Sequence, residues 1–209
     1  GVQGKQCFVL DRGGVPCVAG IMKKLDVPYC SQILWASCFP ACVKMVLKYY
    51  GDNIDEKALY KKSTLPGHKG TWDVKVGPLL IKKGYGAFTY WNGSIQSWDG
   101  FLKKDPASVQ KLFSAYKVEY KKAIKSGLKH KQNASLSEIK KYIDSGIPVL
   151  TEVKASAFYG KKLAYTHMIV IIGYDNKRVF YHDPDKQLGG PNKSVSITRF
   201  RKSWEAIYP

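Results

Sequence analysis

The chain has 209 residues, 44% of them hydrophobic and 13% aromatic, which is enough apolar side chain for one substantial core and excludes a disordered protein. No apolar run approaches the roughly 20 residues of a membrane-spanning helix; the longest, Met168 to Gly173, is strand-sized. Net charge is +18, from 34 Lys+Arg against 16 Asp+Glu. Most of it is lysine spread along the chain, with arginine at Arg12, Arg178, Arg199 and Arg201, so nucleic-acid recognition is not expected. The lysines read as solvated faces with weak affinity for an anionic cell-envelope surface.

Residues 1–24 read as an N-terminal extension, with short strands expected at Phe8-Val9-Leu10 and Val18 to Ile21 around the turn Asp11-Arg12-Gly13-Gly14. Cys7 and Cys17 flank that turn, so a hairpin closed by a disulfide is plausible, and with it a secreted or cell-envelope location. The other cysteines are Cys30, Cys38 and Cys42, none in a CxxC pair of the kind that holds zinc. Pro28 makes Leu25 to Tyr29 an extended lead-in. A helix is then expected from Ser37 or Cys38 to Tyr50, stopped by Gly51, with Pro40 in its first turn. Cys38, Cys42, Met45 and Tyr49 share one face of it.

A short helix follows over Asp55 to Lys62, and another over Thr71 to Lys83 that Pro78 should break or delay. Residues 85–104 are turn-rich and aromatic, suited to lining a groove or anchoring loops. Asp105 and Pro106 open a helix with Val109, Leu112, Phe113 and Tyr116 as its buried stripe, followed by a basic stretch from Lys117 to Lys131. Ser135-Leu136-Ser137-Glu138 is a capping-box pattern for a helix ending at Gly146.

Strands dominate thereafter. Pro148 to Val153 is one, and the β-branched run Thr166 to Tyr174 is a buried central one. Asp175-Asn176 turns the chain into a partner strand, Arg178 to Asp183, which Pro184 ends. Gln187 to Lys193 reads as a loop, Val195 to Ile197 as a last strand, and Phe200 to Tyr208 as a terminal turn or helix. Helices first and antiparallel strands after is the α+β class.

Three features carry chemistry. Cys38 opens a helix, where the dipole and free N–H groups favour a thiolate. His167 opens a buried strand, and the hairpin brings it to the same sheet end as Asp183, a carboxylate able to orient an imidazole. Gln32, six positions before Cys38, offers an amide to an oxyanion. Each alone also suits packing: a buried helix cysteine, a core histidine, a surface glutamine. Together they supply the four roles of a thiol enzyme in papain-like order. Cys42 lies too far into the helix to compete, Asp185 sits past Pro184, and His182 points to the opposite strand face from Asp183. His68 and His130 fall in Gly- and Lys-rich segments that read as exposed.

The run Leu25 to Tyr29, the Gln32-to-Cys38 spacing, Cys38-x-Pro40-Ala41-Cys42 leading into Met45 to Gly51, and Asp183 sixteen residues after His167 resemble the C39-like cysteine peptidases. That family includes the double-glycine leader peptidases of bacteriocin export and many free-standing relatives. Gly70-Thr71-Trp72 and Ile143 to Val149 are similar to stretches of the free-standing members. The resemblance implies a papain-like domain over 25–209, with about 85–133 an elaboration, and N-terminal helices packed on a C-terminal antiparallel sheet. It implies Cys38 as nucleophile, His167 as base, Asp183 as its orienter, and Gln32 with the Cys38 N–H as oxyanion hole. Trp35, Phe39 and Thr166, beside the nucleophile and the base, would then contact a peptide or protein substrate. No metal or organic cofactor is implied, and a monomer is expected. The family usually has glycine after the nucleophile; Phe39 departs from that, and would either narrow the groove or point away. An acyl-transferring enzyme with the same residues, or a silent binding module, are the alternatives.

Overall fold

The computed structural model describes residues 7–12, 23–65, 70–91, 107–132 and 134–206. Among them, seven helices and eight strands form an α+β architecture, as expected from the order of the elements. The strands are β1 Cys7–Asp11, β2 Lys23–Lys24, β3 Gly86–Tyr90, β4 Lys129–Lys131, β5 Val149–Lys154, β6 Thr166–Tyr174, β7 Arg178–Asp183 and β8 Gly190–Ser196. The helices are α1 Cys38–Tyr49, α2 Glu56–Ser63, α3 Asp73–Lys82, α4 Ala107–Lys125, α5 Leu136–Asp144, α6 Ala155–Tyr159 and α7 Ile197–Glu205. One sheet runs β4-β3-β1-β5-β6-β7-β8, with β2 on β6; only the β3–β4 pair is parallel. No described helix is long and apolar enough to cross a membrane.

Local signals set the helix ends. Gly51 has φ +77°, the left-handed conformation that ends α1 at low steric cost. Asp55 caps α2 by accepting from the Ala58 N–H at 2.6 Å, and Ser135 caps α5 by accepting from Glu138 at 3.1 Å. α1 packs on β6 through a side that buries Cys42, Met45 and Val46, and α7 packs Phe200 and Trp204 toward β5 and α6.

Several expectations change. The segment read as an extension supplies β1, which lies between β3 and β5 with Phe8, Val9 and Leu10 buried. A stretch with a neighbour on each side and both faces covered is expected to be apolar, and Cys7 to Leu10 are, with Asp11 at the less buried end. Pro78 does not break α3: in so short a helix it removes one interior bond, and buried Val74, Val76 and Leu80 hold the remainder. The aromatic stretch begins with a strand, β3, while Trp98 and Phe101 lie outside the described residues. The basic stretch continues α4 to Lys125 and then forms β4. Exposed Lys129 and Lys131 sit on this edge strand, where charge discourages pairing with another chain. β8 starts at Gly190, inside the expected loop. His130 is half-buried, stacked on Trp91 with ring centroids 4.3 Å apart. Cys17, Val18 to Ile21, His68, Asp105 and Pro106 lie outside the described residues, and the Cys7–Cys17 pairing with them.

Candidate active site

The β6–β7 hairpin delivers two of the expected residues. Val170 faces His182 across the ladder, so the start of β6 meets the end of β7. There His167 Nε2 lies 2.8 Å from Asp183 Oδ1, both residues buried. The Cys38 thiol lies beside the same imidazole on one cleft wall and favours its protonated form. With Nε2 committed to Asp183, Nδ1 is the nitrogen left for the sulfur. Burial pulls the His167 pKa down, but bonding to Asp183 and the neighbouring Cys38 outweigh it and lift it well above 6.5. Both neighbours therefore favour the protonated ring, which can donate from each nitrogen.

Asp183 is fully buried and amply solvated by the protein. Besides His167 it accepts from Tyr159 O–H at 2.5 Å and from the Asp185 N–H at 2.9 Å. Burial and then the Asp183 charge drive the Tyr159 pKa upward, which keeps that hydroxyl a donor. A Cβ at position 189 would overlap the Asp183 side chain, so Gly189 is needed for space. Asp185 stays off the histidine; its own carboxylate accepts from the N–H groups of Gln187 and Leu188. His182 points elsewhere, with Nε2 on the Val27 carbonyl at 2.7 Å and Nδ1 accepting from the Asn192 N–H at 3.0 Å. Cys42 is buried one turn behind Cys38, its thiol on the Met168 carbonyl; burial first, and then Cys38, raise its pKa well above normal.

The turn before Cys38 is pinned from outside. Glu56 of α2, 1% exposed, accepts at one oxygen from the Ile33 N–H and from the Ser37 hydroxyl, each at 2.8 Å. Ser37 is thereby drawn away from capping α1, and the first-turn N–H groups are left without a side-chain acceptor. Gln32 is tied by its N–H to the Pro184 carbonyl at 2.9 Å, next to Asp183. Its amide donates from Nε2 to the Trp35 carbonyl at 3.0 Å, which fixes the amide orientation and leaves a second N–H on Nε2.

These residues line a cleft of about 580 Å³. Gln32, Trp35, Cys38, Phe39, Thr166 and His167 all contribute to its wall, along with Thr71, Trp72, Asp73 and Glu152. The structure brings Cys38 and Gln32 onto one cleft with His167, which is bonded to Asp183 behind it. Phe39 turns into the core: it is 3% exposed and meets Phe8 of β1 edge to face at 5.4 Å. Trp35, 75% exposed, stands at the mouth, edge-on to Tyr165. Sequence reasoning did not find Tyr159, Gly189, Glu56 or Glu152; the signal for Gly189 was one of two adjacent glycines shortly after Asp183. Among the described residues no group of His, Cys, Asp and Glu is arranged to hold a metal ion.

A search of curated proteins finds no match for the chain. Among solved structures, one assigned as a C39-like peptidase from Bacillus anthracis is similar with a TM-score of 0.49 at 17% identity, covering 88% of this chain and 93% of that one. The peptidase domain of Streptococcus ComA, a bifunctional ABC transporter of a quorum-sensing pathway, has a TM-score of 0.36 at 18% identity, covering 87% and 92%. The model of the Peptidase_C39 like family matches residues 24–209, most of the chain and every residue of the cleft but Phe8. This chain belongs to the Peptidase_C39 like family.

Proposed function

We propose that this protein is a cysteine peptidase that cleaves a peptide bond through an acyl-thioester on Cys38. The observation that carries this reading is one imidazole, His167, bonded to a fully buried Asp183 and sharing a cleft wall with the Cys38 thiol. The Cys38 thiolate attacks the scissile carbonyl carbon. The resulting oxyanion takes hydrogen bonds from the Cys38 N–H and the remaining Gln32 Nε2–H. His167 gives its proton to the leaving amine as the C–N bond breaks, which leaves a thioester. Water attacks that thioester, its proton passes to His167, and the carboxylic acid departs with thiolate and imidazolium restored. Asp183 keeps the ring aligned and its protonated form favoured throughout.

Family membership supports peptide substrates, and a secreted or cell-envelope setting suits the lysine-rich surface. The test is twofold. Iodoacetamide labels Cys38 stoichiometrically in the native protein, and His167→Ala slows that labelling by an order of magnitude or more. Cys38→Ala abolishes hydrolysis of a peptide library; hydrolysis that survives this change overturns the assignment.

A further inference from the structure

The cleft has the opposite electrostatic character from the rest of the molecule. The chain carries 34 Lys+Arg against 16 Asp+Glu, yet the described residues lining the cleft include Asp73, Glu152 and Asp185 and, among them, no lysine or arginine. Two of these carboxylates are already answered. Asp73, 4% exposed, accepts from the Thr89 hydroxyl at 2.5 Å and the Val74 N–H at 2.9 Å. Asp185 accepts from two backbone N–H groups of its own turn. Glu152 has the Thr166 hydroxyl, with Asp73 repelling it and His167 attracting it from further off. It sits on β5, paired with Met168, and lines the same cleft as Cys38 and His167.

Burial raises the Glu152 pKa to about 7, above what the Thr166 bond recovers, so its charge lacks the compensation that a cation would bring. A second acceptor of the same cleft is also unmet: Gln32 Oε1 is buried with no hydrogen-bond partner. Both features describe a surface that waits for donors.

We propose that Glu152 is a specificity-determining residue that selects substrates carrying a lysine or arginine side chain beside the scissile bond. The inference rests on the thiol-peptidase reading of the same cleft and adds the substrate class to it. A cation entering the cleft meets a carboxylate in a low-dielectric wall, with no lysine or arginine among the described lining residues to compete for it. A neutral side chain leaves that carboxylate as it was, and an acidic one is repelled.

Alkylation of Cys38 tests this without requiring turnover. The probes are the chloroacetyl amides of lysine, norleucine and glutamate, used on the full chain at pH 8. The expected second-order rates for Cys38 fall in the order lysine, norleucine, glutamate, with lysine at least tenfold over norleucine. Glu152→Gln brings lysine to within about twofold of norleucine, and a cooperative unfolding transition by circular dichroism shows that the variant is folded. Should Glu152→Gln not fold, the wild-type order lysine over norleucine over glutamate, with the lysine advantage lost in 1 M KCl, decides the question. Equal rates for the three probes in wild type, or a lysine preference that survives Glu152→Gln, overturns the role of Glu152 while leaving the peptidase reading intact. Failure of all three probes to label native Cys38 overturns the peptidase reading, and this inference with it.

Discussion

The two ends of the cleft treat a carboxylate differently. Asp183 is fully buried and receives donors from His167, Tyr159 and the Asp185 backbone. Glu152 has one hydroxyl partner and a carboxyl pushed up to about pH 7 by burial. Burying charge is costly in both places, but only the first is compensated within the chain. The comparison separates a group held in place by its neighbours from one for which the proposed partner is a substrate cation.

The satisfied end can be broken in graded steps. Asp183→Asn is the largest: kcat/KM should fall by roughly 10³–10⁴-fold, because the imidazole loses both its orientation and its charge partner. The sign of the pH effect follows from the raised His167 pKa. In wild type the ring keeps its proton, the one that the proposed reaction passes to the leaving amine, as pH rises through 6.5, and loses it only well above. With asparagine, the alkaline limb of the kcat/KM profile moves to lower pH. An alkaline limb that does not move speaks against His167 as the proton donor. Gly189→Ala comes next, since its methyl group must displace the Asp183 side chain. A misplacement of that kind costs about 10²-fold in rate, read from single-turnover kinetics, and a wild-type rate would show that the loop yields without moving Asp183. Tyr159→Phe is the mildest. It removes one of three donors, so denaturant unfolding should show a loss of about 1–3 kcal/mol and the rate should drop by roughly tenfold. Wild-type stability in that variant would mean that the Tyr159 hydroxyl contributes nothing to holding the carboxylate.

How far the sequence revealed this site depended on how local each signal was. α1 was readable because Pro40, the apolar face from Cys42 to Tyr49 and Gly51 all lie within one helix length. The β6–β7 hairpin was readable because a β-branched run, a two-residue turn and an Asp-Pro stop follow one another directly. The position of β1 was not, because its partners come from β3 and β5, far along the chain, and three apolar residues in a row fit an edge as well as an interior strand. Glu56 stood in a polar run, Asn53-Ile54-Asp55-Glu56-Lys57, that reads as a solvated helix start; only the fold turns it under the loop before Cys38. Tyr159 had no sequence signal beyond an aromatic residue before Gly160, and its partner lies 24 positions on.

Phe39 has a further consequence through its seat on Phe8. The family match begins at residue 24, so β1 lies outside it yet fills the middle of the sheet. Withdrawing that strand opens two inner ladders, on β3 and β5, and takes away the ring on which the residue beside Cys38 rests. The residue beside Cys38 is thus held in place by a strand that the family match does not include.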